Sequence, residues 1–144
     1  MALQKFAKAI MADKLIQLYN YGHHRRDFTY IDDIVEGIIR VLDKPAQGNE
    51  DWEGDTLDSV TSLAPWRIYN IGSNNPIELK TYSSELEKAL GKTAEKERLP
   101  LQPGEVPDTY ANVDALIRDF DYKPAIKIEQ GTVKFAKWYK HYYA

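Results

Sequence analysis

Five stretches of the sequence carry apolar residues at three- and four-residue spacing, and short β-prone runs separate them. This spacing is that of an amphipathic α-helix that turns one face to a core. The helical stretches begin near Leu3, Asp33, Leu79, Asn112 and Glu129. The β-prone runs lie at residues 15–19, 28–31, 67–71 and 98–101. The alternation predicts an α/β fold that is mostly helical, with a few short strands.

Individual residues predict how some of these helices begin, end and pack. Asp32 or Asp33 can cap the second helix and place acidic charge at the positive end of its dipole. Gly91 follows the third helix in the position that glycine favours after a helix C-terminus. The last helix, at about residues 129–142, carries aromatic residues at helical spacing, which is typical of core packing. These residues are Phe135, Trp138, Tyr139 and Tyr142.

Composition excludes several classes of function. The 144 residues include no cysteine, which excludes disulfides, thiolate nucleophiles and zinc sites built on sulfur. The adjacent His23 and His24 would point to opposite faces of an extended segment, and no histidine has a partner at metal-ligand spacing. A net charge of −3 argues against a nucleic-acid surface. We therefore expect neither a metal site nor nucleic-acid binding.

The sequence also argues against a membrane protein. No apolar run approaches the ~20 residues that span a bilayer, and the N-terminus lacks the apolar core of a signal peptide. We therefore expect a cytoplasmic protein. Residues 45–65 are rich in acidic side chains and predict a solvated loop, whose charge disfavours contact with a phosphate.

The segment from Tyr19 to Asp33, YNYGHHRRDFTYIDD, contains the clearest binding chemistry. The Arg26 guanidinium offers donors in a rigid fork and stays charged, which suits a diphosphate better than lysine does. Taken alone, Arg25-Arg26-Asp27 is also consistent with a surface turn that has a local Arg–Asp pair. Tyr19 offers either a stacking platform for a nucleobase or a side chain packed within an apolar strand.

The turn at residues 101–106, LQPGEV, is a second candidate binding segment. Gly104 allows the backbone to turn sharply. Gln102 and Glu105 can converge on sugar hydroxyls, because an amide and a carboxylate supply complementary groups. On its own, the pattern is also that of an ordinary turn.

Together with residues 66–72, WRIYNIG, these motifs resemble the second half of extended short-chain dehydrogenases/reductases that act on nucleotide sugars. The resemblance is closest to UDP-glucuronate 4-epimerases of capsule and lipopolysaccharide synthesis, covers nearly the whole chain and implies a Rossmann-type fold. It implies that Arg26 contacts the diphosphate and that Tyr19 borders the uracil ring. It also implies that Gln102 and Glu105 face the substrate, with Glu105 at the position where an aspartate of related galactose epimerases accepts from ribose hydroxyls. Glucuronate epimerases typically show Gln-Pro-Gly-Asp at this turn, so Gln102 agrees with them and Glu105 carries a longer carboxylate.

The same resemblance implies catalytic motifs that this sequence lacks. Family members carry a glycine-rich dinucleotide loop and a Tyr-x-x-x-Lys pair, but here no two glycines are three apart and no Tyr precedes Lys by four residues. We therefore predict that residues 1–144 are the UDP-sugar binding region of an NAD-dependent nucleotide-sugar 4-epimerase, without the NAD-binding half. This region would be inactive alone, would hold no catalytic, cofactor or metal residue, and would bind NAD only as part of a full-length parent.

Two alternatives stay open. The chain is also consistent with a fragment of a sister sugar-nucleotide dehydratase, decarboxylase or reductase, since these enzymes share this half. A different possibility is a non-catalytic module for nucleotide-sugar binding or protein interaction. In each case, apolar surfaces that normally pack on the other half of the enzyme would favour a homo-oligomer.

Overall fold

The computed structural model describes residues 2–55 and 58–143, which form five α-helices and five short strands. The helices are α1 (Ala2–Met11), α2 (Ile31–Asp43), α3 (Leu79–Leu90), α4 (Asp114–Phe120) and α5 (Ile128–Tyr143). The strands are β1 (Ile16–Leu18), β2 (Arg25–Arg26), β3 (Ile77–Glu78), β4 (Lys96–Arg98) and β5 (Asp108–Thr109). None of these helices combines the length and the apolar character that crossing a bilayer requires. The predicted α/β class is confirmed.

The strands form two small sheets. Strand β1 pairs in parallel with β4, and β2 lies between antiparallel β3 and parallel β5. Arg26 is in register with Ile77 on one side and Thr109 on the other. The middle position of β2 therefore ties the Arg26 segment to two parts of the chain that are distant in sequence.

The core lies between α1, α3, α5 and β1. Apolar residues at helical spacing bring one face of each helix inward, as the sequence predicts. The core residues are Phe6, Ala7, Ile10, Ile16, Leu18, Tyr82, Leu86, Leu90, Ala136 and Tyr139. The ring of Phe28 stacks on Tyr82 with 4.3 Å between centroids, which fixes the chain where it leaves β2. Gly91 ends α3 with a φ of 71°, the left-handed conformation predicted for it.

The aromatic residues of α5 are only partly buried. Tyr139 lies in the core and Phe135 packs against it. Trp138 and Tyr142, in contrast, are 47% and 68% exposed, so the prediction that all four pack in the core was wrong. No element of the described residues fully covers these two side chains. Trp138 and Tyr142 stack on each other instead, with 5.5 Å between centroids.

The start of α2 also differs from the prediction. Residues 28–31 form no strand, because Phe28 turns into the core and the helix already begins at Ile31. The Asp33 carboxylate does not cap α2 but accepts hydrogen bonds from the backbone of Ala125 and Ile126, at 3.3 and 3.0 Å. Asp32 pairs with Lys134 of α5 at 2.8 Å. Both acidic residues thus lie in the first turn of α2 but fasten it to the segment around α5.

One face of α2 has no covering element within the described residues. Gly37 packs against Ile71 on the inner side. On the outer side four apolar side chains are between 45% and 74% exposed: Val35, Ile38, Ile39 and Leu42. The strand predicted at residues 67–71 does not form, because Arg67 makes only an isolated bridge to Thr61 and none of the described strands lies beside the rest.

The acidic loop at residues 45–65 is largely exposed, as predicted, but parts of it fold back on themselves. The Asn49 amide donates to the Thr61 hydroxyl at 3.1 Å, and the Trp52 indole donates to the Asp58 carbonyl at 3.1 Å. Residues 56–57 lie outside the described part of the chain.

Candidate functional site

A cleft of about 720 Å³ opens beside β1 and β2, and we call it the β1–β2 cleft. Three of the four predicted site residues, Tyr19, Arg26 and Glu105, line it together with His24. The remaining lining residues are Lys5, Phe6, Ala9, Leu15, Ile16, Gln17, Phe28 and Leu79. The cleft therefore combines an apolar wall from α1 and β1 with polar groups from β2 and the 102–105 turn.

Tyr19 lies where β1 ends and a short 3₁₀ turn, Tyr19–Gly22, begins. The two residues after it, Asn20 and Tyr21, have φ values of 49° and 53°, a left-handed conformation that costs energy for Tyr21. A hydrogen bond from the Tyr21 N–H to the Leu99 carbonyl, at 2.9 Å, anchors this turn to the end of β4. The strained turn places the half-buried Tyr19 ring at the wall of the cleft.

The Arg26 guanidinium is fixed by backbone carbonyls. Its Nη1 donates to the carbonyls of Arg25 and Pro107 and its Nη2 to that of Val106, each at 2.9 Å. A guanidinium has five N–H donors, so the Nε–H and one Nη2–H have no protein acceptor among the described residues. The three carbonyls hold the fork in one orientation, so less side-chain entropy would be lost when an anion binds.

Asp27 does not pair with either neighbouring arginine, so the surface turn with a local Arg–Asp pair is not observed. Its carboxylate accepts from the backbone N–H groups of Ser73, Asn74 and Ala111 at 3.1, 3.0 and 3.2 Å. The Ser73 hydroxyl donates to it as well. Asp27 thereby ties β2 to the segments after residue 72 and before α4, and leaves Arg26 unneutralised by its neighbour.

The 102–105 turn forms as predicted. The Glu105 N–H donates to the Gln102 carbonyl at 3.2 Å, and Gly104 has a φ of 84°. Glu105 reaches the cleft, whereas Gln102 is exposed and is not among the residues that line it. The structure therefore brings Tyr19, Arg26 and Glu105 together, and the binding role of Gln102 stays a prediction.

His24 is the cleft residue that the sequence did not identify. It is 4% exposed, and its Nε2 lies 3.5 Å from Glu105 Oε2 without a hydrogen bond to any described residue. Its neighbour His23 points outward, with Nδ1 3.4 Å from Glu78 Oε1, but the backbone at His23 is helical (φ −85°, ψ −3°) and not extended as predicted. The sequence indicated only that the two adjacent histidines would point in opposite directions. It could not show which of them turns toward the core.

The charges of the cleft suit a ligand with both an anion and hydroxyl groups. Lys5 and Arg26 contribute two cations, and Glu105 contributes one carboxylate that can accept from hydroxyls. In the described part of the chain, no three His, Cys, Asp or Glu side chains lie close enough together to hold a metal ion.

The chain is similar to known proteins over nearly its whole length. Residues 1–72 match the NAD dependent epimerase/dehydratase family. The chain is 52% identical to Protein CapI of Staphylococcus aureus, over 99% of this chain and 43% of that protein. It is 40% identical to the probable UDP-glucuronate 4-epimerase of Rhizobium meliloti, over 99% of this chain and 42% of that protein.

A solved structure gives the same result. UDP-glucuronic acid 4-epimerase from Bacillus cereus, in complex with UDP-glucuronic acid and NAD, has a TM-score of 0.76 and 27% sequence identity. The match covers 99% of this chain and 40% of that one. The fold is thus that of the Rossmann-type extended short-chain dehydrogenases/reductases, and the chain belongs to the NAD dependent epimerase/dehydratase family. It spans about two fifths of the length of the curated relatives it matches.

The residues present do not fit a dinucleotide cofactor. A dinucleotide is normally held by a glycine-rich turn between a strand and the helix that follows it. In the described part of the chain, α3 follows β3 directly, with no glycine between Glu78 and Leu79. No other described strand leads straight into an α-helix, since β1 is followed by the short 3₁₀ turn at Tyr19–Gly22. These residues offer no cradle for the NAD on which the family depends.

Proposed function

We propose that this chain is the nucleotide-sugar binding region of an NAD-dependent 4-epimerase of the UDP-glucuronate type. The observation that carries the proposal is the convergence of Tyr19, Arg26 and Glu105 in the β1–β2 cleft. The 40% identity to a probable UDP-glucuronate 4-epimerase supports the choice of sugar nucleotide. The similarity to Protein CapI is consistent with a role in capsular polysaccharide synthesis.

Each cleft residue has a distinct task in this proposal. Tyr19 offers its ring to the uracil base, and Arg26 directs its two remaining N–H groups at the diphosphate. Glu105 accepts hydrogen bonds from sugar hydroxyls. The apolar wall from α1 and β1 excludes water from the bound base. Holding the nucleotide in one orientation raises the effective concentration of the sugar at a reacting centre.

The chain would supply binding and orientation but no catalysis. Its sequence contains neither the Tyr-x-x-x-Lys pair nor a glycine-rich dinucleotide loop. We therefore propose that residues 1–144 bind UDP-sugars without converting them, and that the hydride chemistry of the family belongs to a dinucleotide-binding half.

Isothermal titration calorimetry with UDP-glucuronate tests the binding. We expect saturable 1:1 binding to the purified chain and no change of the sugar when the mixture is separated by chromatography. Absence of binding would reject the proposed binding role, whereas formation of the C4 epimer would reject the proposed inactivity. A continuous reading frame upstream that encodes a glycine-rich βαβ unit and Tyr-x-x-x-Lys would favour the epimerase over a stand-alone binding module.

A further inference from the structure

The Nε2 atom of His24 lies at the wall of the β1–β2 cleft without a hydrogen bond, although Glu105 Oε2 is within ion-pair distance. The residue is 4% exposed, and no described residue forms a hydrogen bond with its Nε2. A buried polar group without a partner costs on the order of 1–3 kcal/mol, so such groups are rare in native structures. A bound ligand that supplies the missing hydrogen-bond partner would explain this atom, and His24 lies in the lining of the cleft, where a ligand could reach it.

The distance between His24 Nε2 and Glu105 Oε2 limits which ligand groups could contact His24. His24 Nε2 and Glu105 Oε2 are 3.5 Å apart, too poorly placed for a direct hydrogen bond but close enough for one further atom to contact both. A hydroxyl is suited to that place, because it accepts from an imidazole N–H through its lone pairs and donates its own proton to a carboxylate. A phosphate oxygen would face the negative charge of Glu105.

We propose that His24 is a ligand-contacting residue: the resemblance to the family already implies a ribose contact for Glu105, and the new assignment is that His24 Nε2 donates to the same ribose hydroxyl. This inference rests on the proposed function, since it needs a nucleotide in the cleft. The covalent order of a nucleoside diphosphate is base, ribose, diphosphate. A ribose whose base lies on Tyr19 and whose diphosphate lies at Arg26 therefore falls between these two residues, and we assign it to the place beside His24 and Glu105, which line the same cleft.

The experiment compares UDP with 2′,3′-dideoxy-UDP, which keeps the base and the diphosphate but lacks both ribose hydroxyls. Calorimetry is done on the parent chain, on His24→Phe, which keeps a flat ring without a donor, and on His23→Phe as a matched control. We expect the parent and His23→Phe to bind UDP about tenfold more tightly than dideoxy-UDP. His24→Phe should bind dideoxy-UDP as the parent does and lose about fivefold to tenfold in UDP affinity.

A conservative variant separates contact from packing. His24→Gln keeps an N–H donor at about the reach of Nε2 and should restore most of the preference for UDP. Equal weakening of UDP and dideoxy-UDP by His24→Phe would overturn the inference while the proposed function stands. If the parent chain binds neither nucleotide, the proposed function fails first and this inference fails with it.

A second measurement needs no variant and covers the case in which His24→Phe does not fold. The ring nitrogen resonances of His24 are followed by nuclear magnetic resonance while UDP or dideoxy-UDP is added to the parent chain. We expect UDP to shift the Nε2 resonance and dideoxy-UDP to leave it nearly unchanged. The same shift with both nucleotides would show that no ribose hydroxyl reaches His24.

Discussion

Gly72 lies so close to Ala111 that a Cβ added at residue 72 would stand 2.6 Å from the Ala111 Cβ. The same Cβ would lie 2.9 Å from Asp27 Oδ2, the oxygen that accepts from the Ala111 N–H. Three segments thus meet with no room for a side chain at residue 72. The sequence motif around Gly72 matches the family, and this close approach is a physical reason for glycine there.

Gly72→Ala should therefore destabilise the chain by about 1–3 kcal/mol, because the new methyl group forces Ala111 or Asp27 to move. Denaturant unfolding followed by circular dichroism measures the loss. Gly54→Ala is the matched control, since an added Cβ there meets only the end of the Trp52 ring, at 4.0 Å. Adding Ala111→Gly to Gly72→Ala should recover part of the loss, and a double variant no better than the single one would contradict the explanation.

Arg26→Lys should weaken UDP and UDP-glucuronate alike by about tenfold, because lysine keeps the charge but loses the planar fork. Lysine is preferable to alanine here, since the carbonyls of Val106 and Pro107 also depend on the side chain at residue 26. Arg25→Lys, at an arginine outside the cleft, is the control and should leave both affinities unchanged. Equal affinity of Arg26→Lys and the parent would make Arg26 a purely structural residue.

Tyr82→Phe should leave the free energy of unfolding unchanged or raise it by up to about 1 kcal/mol. The Tyr82 hydroxyl is buried without a hydrogen-bond partner among the described residues, and this burial raises its pKa. Tyr69→Phe is the matched contrast, because the Tyr69 hydroxyl donates to Asp119 Oδ2 at 2.8 Å. That variant should lose about 1–2 kcal/mol in thermal or denaturant unfolding. A larger loss of stability in Tyr82→Phe than in Tyr69→Phe would refute the assignment of a hydrogen-bond partner to Tyr69 and of none to Tyr82.

The carboxyl of Asp119 should make stability depend on pH. Partial burial acts to raise its pKa, but hydrogen bonds from Arg118 and Tyr69 and the charge of Arg67 outweigh burial and hold the pKa below its ordinary value of 3.8. A carboxyl whose pKa is lower in the folded state than in the unfolded state stabilises the protein at pH values above its ordinary pKa. This stabilisation is lost as the pH falls through the folded-state pKa.

Asp119→Asn should therefore lower the free energy of unfolding at pH 7 and have a much smaller effect near pH 2. Urea unfolding at several pH values measures the difference. Asp108→Asn, at an exposed position in β5, should give the same small change at every pH. A loss from Asp119→Asn that does not vary with pH would show that its carboxylate charge is not the source of the stabilisation.

The uncovered face of α2 should make the purified chain associate. Closed symmetric pairing is a common way to cover an apolar patch, so we expect a dimer or larger species at micromolar concentration. Sedimentation equilibrium should show that Ile38→Lys, on this face, shifts the chain toward the monomer. Val133→Lys introduces the same change at an exposed position of α5 and should not. A monomeric parent with sharp cooperative unfolding would mean that the chain is self-sufficient.

The helices were predictable because their signals are local. Apolar residues at helical spacing and a glycine after Leu90 depend only on neighbours along the chain, and α1, α3 and α5 formed near the predicted residues. The strands depend on partners. The β-prone residues 67–71 form only an isolated bridge at Arg67, because no described strand lies beside the rest. Arg25 and Arg26, with no β-prone signal, pair on both sides.

The candidate site was predictable only in part, for a related reason. Arg26, Tyr19 and Glu105 were found because their chemistry suits a nucleotide and their motifs resemble a known family. His24 differs from His23 only in what lies beside it after folding. The way the 102–105 turn packs against β2 decides that Glu105 enters the cleft and that Gln102 stays outside it. Neither outcome is determined by residue type or spacing.

The cleft is assembled from segments that are remote in sequence, so a ligand could bind there only when the whole chain is folded. Tyr19 and Arg26 come from one end of the chain, and Glu105 joins them only when Pro107 and Val106 dock on the Arg26 guanidinium. An unfolded chain cannot present these groups together, so the proposed nucleotide binding would be thermodynamically linked to global folding. At a concentration one hundred times its dissociation constant, a nucleotide would add about 2.7 kcal/mol to the stability of the chain. Cellular nucleotide-sugar levels would then influence how much of this protein survives proteolysis.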